Sequence, residues 1–172
     1  MKSLDINSIN INSPYKVWAK GAVLHFETAY GIRYAVDFDY EDNPFCSAYW
    51  LNLTNESHKP SPNDRQIPKT IICIVEEFFR QNPDILLYMC STDNNQQAQR
   101  ARLFLRWFNG YEQQQKYVIR AANVPNVNAE GKSIEEYIAI IIPISHPQLD
   151  AVIKLFEKEI TMFNANKPQE EA

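Results

Sequence analysis

The sequence predicts an α+β fold, a mainly antiparallel sheet with three helices in the order β-β-β-β-α-β-α-β-β-α. Three observations predict it. Residues 15–53 read as strands, with clean apolar–polar alternation over the 23–40 hairpin and both sides apolar or aromatic over 45–53. Three later stretches, near 68–82, 93–108 and 145–163, space their apolar residues by three and four. Short β-branched or apolar runs lie beside them, at 85–90, 117–121 and 136–144. Strands that dominate early, with few helices, give α+β rather than a doubly wound sheet.

The chain has 172 residues and is 45% hydrophobic, enough for one domain with its own core. That domain is placed at 14–163, with 164–172 as a disordered tail. Residues 1–13 carry Leu4, Ile6, Ile9 and Ile11 at loose spacing among Asn and Ser. They read as a flexible arm or an edge strand, and the pattern does not choose. Tyr15 to Lys20 forms a short strand. Val23–Thr28 and Ile32–Tyr40 form the clearest hairpin, around the three-residue loop Ala29-Tyr30-Gly31, with Gly31 where φ must be positive. That register pairs Thr28 with Ile32, Glu27 with Arg33 and His25 with Ala35. Leu24, Phe26, Ile32, Tyr34, Val36 and Phe38 then share an apolar face, and His25, Glu27, Arg33, Asp37 and Asp39 a wet one. Phe45 to Leu53 is the next strand, followed by a polar loop at 54–66.

A helix from Pro68 stops before Pro83, which pushes Asn82 out of the αR region. Ile71, Val75, Phe78 and Phe79 make its stripe. Ile85 to Cys90 is a buried strand. The next helix opens near Asp93, with Gln96 completing a capping box. Its stripe is Ala101, Phe104, Leu105 and Phe108, while Leu103 and Trp107 lie on another side with Arg100 near them. A strand opens at Tyr117, a mobile connector covers Asn123–Ser133, and Glu136–Ile144 is the most β-prone segment. Ser145 then caps the last helix with Gln148 at the capping-box position. Leu149, Val152, Ile153, Phe156, Ile160 and Phe163 form its core stripe.

The net charge is -4, which argues against a broad basic face for nucleic acid. Cys46, Cys73 and Cys90 fit no zinc spacing and read as buried free thiols, which suits a reducing compartment. No basic-then-apolar leader and no bilayer-length apolar run is present, so the protein reads as cytoplasmic, with no membrane association.

Three places carry the residue types of a site. His25, Glu27, Asp37 and Asp39 share the wet hairpin face, but the register brings His25 and Asp37 together only diagonally. Arg33 competes for Glu27, so an ordinary solvated face is the simpler reading. The turn at Ser91–Asn95 offers backbone N–H groups to an anion, yet it lacks glycine and Asp93 would repel a phosphate. Arg100, Arg102 and Arg106 accompany Leu103 and Trp107 on a helix that is apolar on two sides. Such a helix is either sandwiched in the fold or offers its second side to a partner. No catalytic residue, metal ligand or cofactor is assigned.

Glu77-Phe78-Phe79, Asn82-Pro83, the Tyr88–Cys90 strand end, Asp93 and Arg100-Ala101-Arg102-Leu103-Phe104 followed by Trp107-Phe108 resemble the most recognisable part of a domain-of-unknown-function family. Its members are short bacterial proteins, mainly from Bacteroidetes. The resemblance covers roughly residues 76–108 and brings no activity with it. It implies bacterial origin and a single intracellular domain. The function expected is a small non-enzymatic binding or assembly domain, a homodimer or the binder of a protein partner, contacting it through Arg100, Arg102, Leu103, Arg106 and Trp107. The alternative is a nucleotide- or nucleic-acid-interacting protein of a toxin–antitoxin or phage-defence system. A metal-dependent hydrolase comes third.

Overall fold

The computed structural model describes residues 1–43, 46–91, 105, 106 and 108–165. The elements run α1 (Ile6–Asn12), β1 (Val17–Lys20), β2 (Val23–Glu27), β3 (Arg33–Asn43), β4 (Cys46–Asn55), α2 (Gln66–Gln81), β5 (Ile85–Ser91), α3 (Tyr111–Gln114), β6 (Tyr117–Val127), β7 (Ser133–Pro143) and α4 (Leu149–Ala165). The class is α+β with mainly antiparallel strands. Four helices are described against the expected three: α1 and the single turn α3 are additional, while most of the helix expected at 93–108 lies outside the described residues. The chain divides into two compact units, Met1–Asp84 and Ile85–Ala172.

In the first unit β1-β2-β3-β4 lie side by side, each antiparallel to the next. β1 and β2 meet over the two-residue turn Gly21-Ala22, where φ of 62° at Gly21 suits the first position of a hairpin turn. The β2–β3 loop has the anticipated form. The Thr28 N–H donates to the Ile32 carbonyl at 2.9 Å, and His25 faces Ala35 while Glu27 faces Arg33. Alternation sends Leu24, Phe26, Val36 and Leu51 into the core.

α2 covers that core face. Ile67, Ile71, Ile74, Val75 and Phe78 recur at helical spacing and are all buried. The Phe78 ring stacks on Phe38 at 4.6 Å and meets Tyr49 edge-on at 5.4 Å. Full burial of one such side chain is worth about 1.5–3 kcal/mol, so this stripe dominates the packing of the unit. Asp64 accepts the Gln66 N–H at 2.8 Å and satisfies a first-turn donor. The helix ends at Asn82, whose φ of -133° lies outside the helical region that a following proline disfavours.

The amino-terminal segment is neither a free arm nor an edge strand. Residues 6–12 form α1, capped by Asp5, whose carboxylate accepts the Asn7 N–H at 3.0 Å and the Ser8 hydroxyl at 2.8 Å. Distant partners hold it. Asn82 accepts the Lys2 N–H at 2.7 Å and donates to the Lys2 carbonyl at 3.2 Å. Glu77 accepts the Asp5 N–H at 2.9 Å. Asn10 donates to the Val17 carbonyl at 2.8 Å and accepts its N–H at 2.7 Å. Only Ile9 of α1 is buried.

In the second unit β7 lies between β5 and β6, antiparallel to both. The expected connector at 123–133 is mostly strand. β6 continues through Val127, and the chain reverses over Asn128–Lys132 with Gly131 at φ 77°. The Asn128 carboxamide oxygen accepts the Glu130 and Lys132 N–H groups, a local fastening that strand propensity does not report. The last helix starts at Leu149, not after Ser145. His146 precedes Pro147 and is kept from helical dihedrals, so it closes a turn onto the Pro143 carbonyl at 2.9 Å. α4 includes Ala165, and 166–172 lie outside the described residues. Cys73 is a free thiol, half-buried rather than buried, and burial raises its pKa, with Glu76 adding to the effect.

Glu77 links the segment to α2. Burial by itself would raise its carboxyl pKa, but the Asp5 N–H, Gln81 and Arg80 together outweigh burial and hold it below the ordinary 4.5. A depressed carboxyl contributes its stability above the unfolded-state pKa and loses it as pH falls through the folded value. Glu77→Gln is expected to cost about 1–3 kcal/mol at neutral pH, since hydrogen bonds to a charge are lost. Urea unfolding across pH 3–7 measures it. The wild-type and variant curves should converge in acid, and parallel curves would show that the Glu77 charge contributes nothing.

Candidate interaction surface

The wet face of the first unit separates into three local partnerships. The Glu27 carboxylate lies 3.3 Å from the Arg33 guanidinium, the cross-strand pair that the register anticipates. His25 is buried on this face: Trp18 stacks on its ring at 5.9 Å and Glu56 lies 3.2 Å from Nδ1. Asn52 of β4 donates to Asp37 at 2.7 Å and to Asp39 at 2.8 Å. The four candidate ligands therefore do not converge. Among the described residues no group of three or more His, Cys, Asp or Glu could hold a metal ion. No buried side-chain polar atom there lacks a hydrogen-bond partner. Glu56 and Asn52 come from β4 and its end, whose register no short motif announces.

The turn candidate shares the end of β5 at Ser91, and residues 92–95 lie outside the described residues. Of the arginine set, Arg106 is described, while Arg100, Arg102, Leu103 and Trp107 lie outside. Arg106 is helical and exposed, between the buried Leu105 and Phe108. The Phe108 ring lies 5.3 Å from Tyr117, which assigns Phe108 to the core as its stripe suggests.

A feature that periodicity misassigned lies on α4. Val152 is buried, but Phe163, expected in the core stripe, is 54% exposed and Met162 beside it 51%. Glu157 lies 3.8 Å from Arg120, so α4 covers the sheet face that bears Arg120. The register carries that face through Ile140 to Leu87, then two residues on through Ala122 and Ile138 to Met89. Along it Ile142 and Ile140 are buried, Ile138 half-buried and Met89 47% exposed. From Leu149 to Glu157 is about 12 Å of helix, and from Pro143 to Ile140 about 10 Å of strand, so α4 runs back along β7. The same rises bring Phe163 roughly abreast of Ile138, beside Met89. A period shows which residues share a stripe, not how far the opposing layer extends. The one hint was Met162, an apolar residue off the stripe.

A model for a family of unknown function, DUF6169, matches residues 63–158. The chain belongs to the DUF6169 family. No curated protein and no solved structure matches it. The match takes in α2, β5, α3, β6, β7 and α4 as far as Lys158, while α1 and β1–β4 precede it. Among the described residues of this DUF6169 protein no helix is long and apolar enough to cross a membrane.

β6 is the outermost strand of its unit. The Asn128–Lys132 turn sets the parity of the ladder, so odd-numbered residues of β6 point their N–H and C=O away from β7. Pro125 occupies one such position and has no N–H to offer, and Arg120 donates to the outward Ile119 carbonyl at 3.0 Å. Pro125 interrupts the row of outward donors, which disfavours strand addition at that point of the edge.

Asn52→Leu is expected to lower stability by about 1–2 kcal/mol, since Asp37 and Asp39 then share a face without their common donor. Screening should shrink the loss in 1 M salt, where the Debye length is about 3 Å. Urea midpoints at low and high salt check it, and an equal loss at both would remove repulsion as the cause.

Proposed function

We propose that this DUF6169 protein is a small cytoplasmic binding or assembly domain and that it self-associates through the second unit. The observation that supports it most is the exposure of Met89, Met162 and Phe163, apolar side chains that the strand register and helix rise set toward one end of the unit and that it gains nothing by exposing to water. Methionines beside an aromatic ring adapt to an opposing surface, a common composition for contact patches. The exposed Arg106, flanked by core residues, fits the rim of such a surface. From the sequence we assign Arg100, Arg102, Leu103 and Trp107 to the same contact region. The nucleic-acid reading has less support, because the β6–β7 end carries Glu130, Glu135 and Glu136 against Lys132.

Size-exclusion chromatography with light scattering tests the reading. The wild type should run at twice the monomer mass in the high micromolar range. Phe163→Asp and Met89→Asp should each raise the dimer Kd at least tenfold, the loss of about 1.4 kcal/mol or more. Far-UV circular dichroism and Tm should be unchanged, because both residues are already exposed. Trp107→Asp should weaken association likewise. A wild type that stays monomeric throughout would overturn self-association, and a variant that unfolds would mark its residue as core.

A further inference from the structure

β1 in the first unit and β6 in the second are edge strands closed by different means. On β6 the closure is covalent, because Pro125 can never donate. On β1 it is a removable side chain. The two-residue Gly21-Ala22 turn makes Lys20–Val23 and Trp18–His25 the hydrogen-bonded pairs, so Val17 and Ala19 point their backbone groups away from β2. At Val17 the Asn10 carboxamide fills both positions, donating at 2.8 Å and accepting at 2.7 Å. One side-chain amide thus makes the contacts that the peptide of an added strand would make. Asn10 sits on a seven-residue helix with a single buried residue, Ile9, so the segment that carries it has little apolar burial to hold it down.

The side chains flanking that edge say what it would accept. Lys16, Trp18 and Lys20 alternate, so they share the sheet face away from α2, and all three are exposed. Trp18 is held in place by the His25 stack and by Arg33, whose guanidinium carbon lies 5.8 Å from its ring centre. A second copy pairing β1 with β1 antiparallel would set Lys16 against the Lys20 of its partner, which like charges oppose. An acidic strand meets no such opposition.

We propose that β1 is the docking strand for an extended peptide of a protein partner, with acidic residues either side of an aromatic one at alternate positions. Residues 2–12 are its plug, displaced when the peptide adds to the edge. The acidic residues pair with Lys16 and Lys20, the aromatic one lies against Trp18, and the peptide backbone takes the Val17 positions that Asn10 now holds. β1 belongs to the first unit and the α4 residues to the second, so either proposal can fail without the other.

The test uses the full chain and a labelled probe, acetyl-Thr-Glu-Thr-Tyr-Thr-Glu-Thr-amide, with a control in which lysine replaces both glutamates. Asn10→Ala should bind the probe about tenfold more tightly than wild type, the release of one reciprocal amide pair. Asn10→Asp, which keeps the acceptor for the Val17 N–H and loses the donor, should fall between them. Hydrogen exchange at the Val17 amide should quicken in Asn10→Ala and slow again with probe. Lys16→Glu with Lys20→Glu should abolish binding. Equal affinity of Asn10→Ala and wild type would overturn the plug. Equal binding of the lysine control would overturn the charge assignment. Rapid Val17 exchange with no probe binding would overturn the docking strand. Self-association of Asn10→Ala without probe would give the edge to a second copy instead.

Discussion

An outermost strand leaves a row of backbone donors and acceptors facing outward, and each must meet water, a covering group or another strand. Much of what is unusual in this protein answers that constraint. On β1, α1 is laid across the edge so that Asn10 meets both outward groups of Val17. Asn82 treats Lys2 in the same way at the other end of the segment. A primary amide is the side chain for this task, because it offers a donor and an acceptor in the geometry of a peptide group.

α2 makes that arrangement possible. Its apolar stripe commits to the sheet through Phe78, and its flank presents Glu77, Arg80 and Asn82 to the amino-terminal segment. Glu77 is a buried carboxylate with four protein donors around it: the Asp5 N–H, Gln81 and two nitrogens of Arg80. Buried charge is costly unless its lone pairs are used, so this carboxylate has its full set of donors only while the segment is docked. The DUF6169 match begins at residue 63, so the helix lies within it while the segment that its flank receives lies before it.

Legibility in the sequence followed the range of the interactions. The β2–β3 hairpin could be read with its register because Gly31 fixes the loop and alternation fixes the faces, both within a few residues. The α2 stripe was equally local, and Pro83 marks its end. α1 was not legible: Asn, Ser and Ile form helices poorly, and what stabilises it lies more than 70 positions away at Glu77 and Asn82. The opening of β6 was legible from Tyr117, but its continuation over 123–127 hid behind asparagines and a proline whose meaning depends on which way its nitrogen points. Glu27–Arg33 was visible because one hairpin contains both, whereas Glu56 beside His25 and Asn52 between two aspartates needed the β3–β4 register. Phe163 fits its stripe, but a stripe does not say where the sheet beneath it is no longer covered. The patch at Met89 was hidden for the same reason.

The docking of residues 2–12 also sets an order of events during synthesis. β1 and β2 can pair as soon as both have left the ribosome, but Glu77 and Asn82 are made some 65 residues after Val17. At about 5–20 residues per second that interval is roughly 3–13 seconds. For that time Asn10 alone guards the strand, without the helix flank that later pins its backbone. A nascent chain is therefore most open to mispairing with neighbours on the same messenger before Glu77 and Asn82 have been made, and a pause in translation within 18–82 would lengthen that exposure.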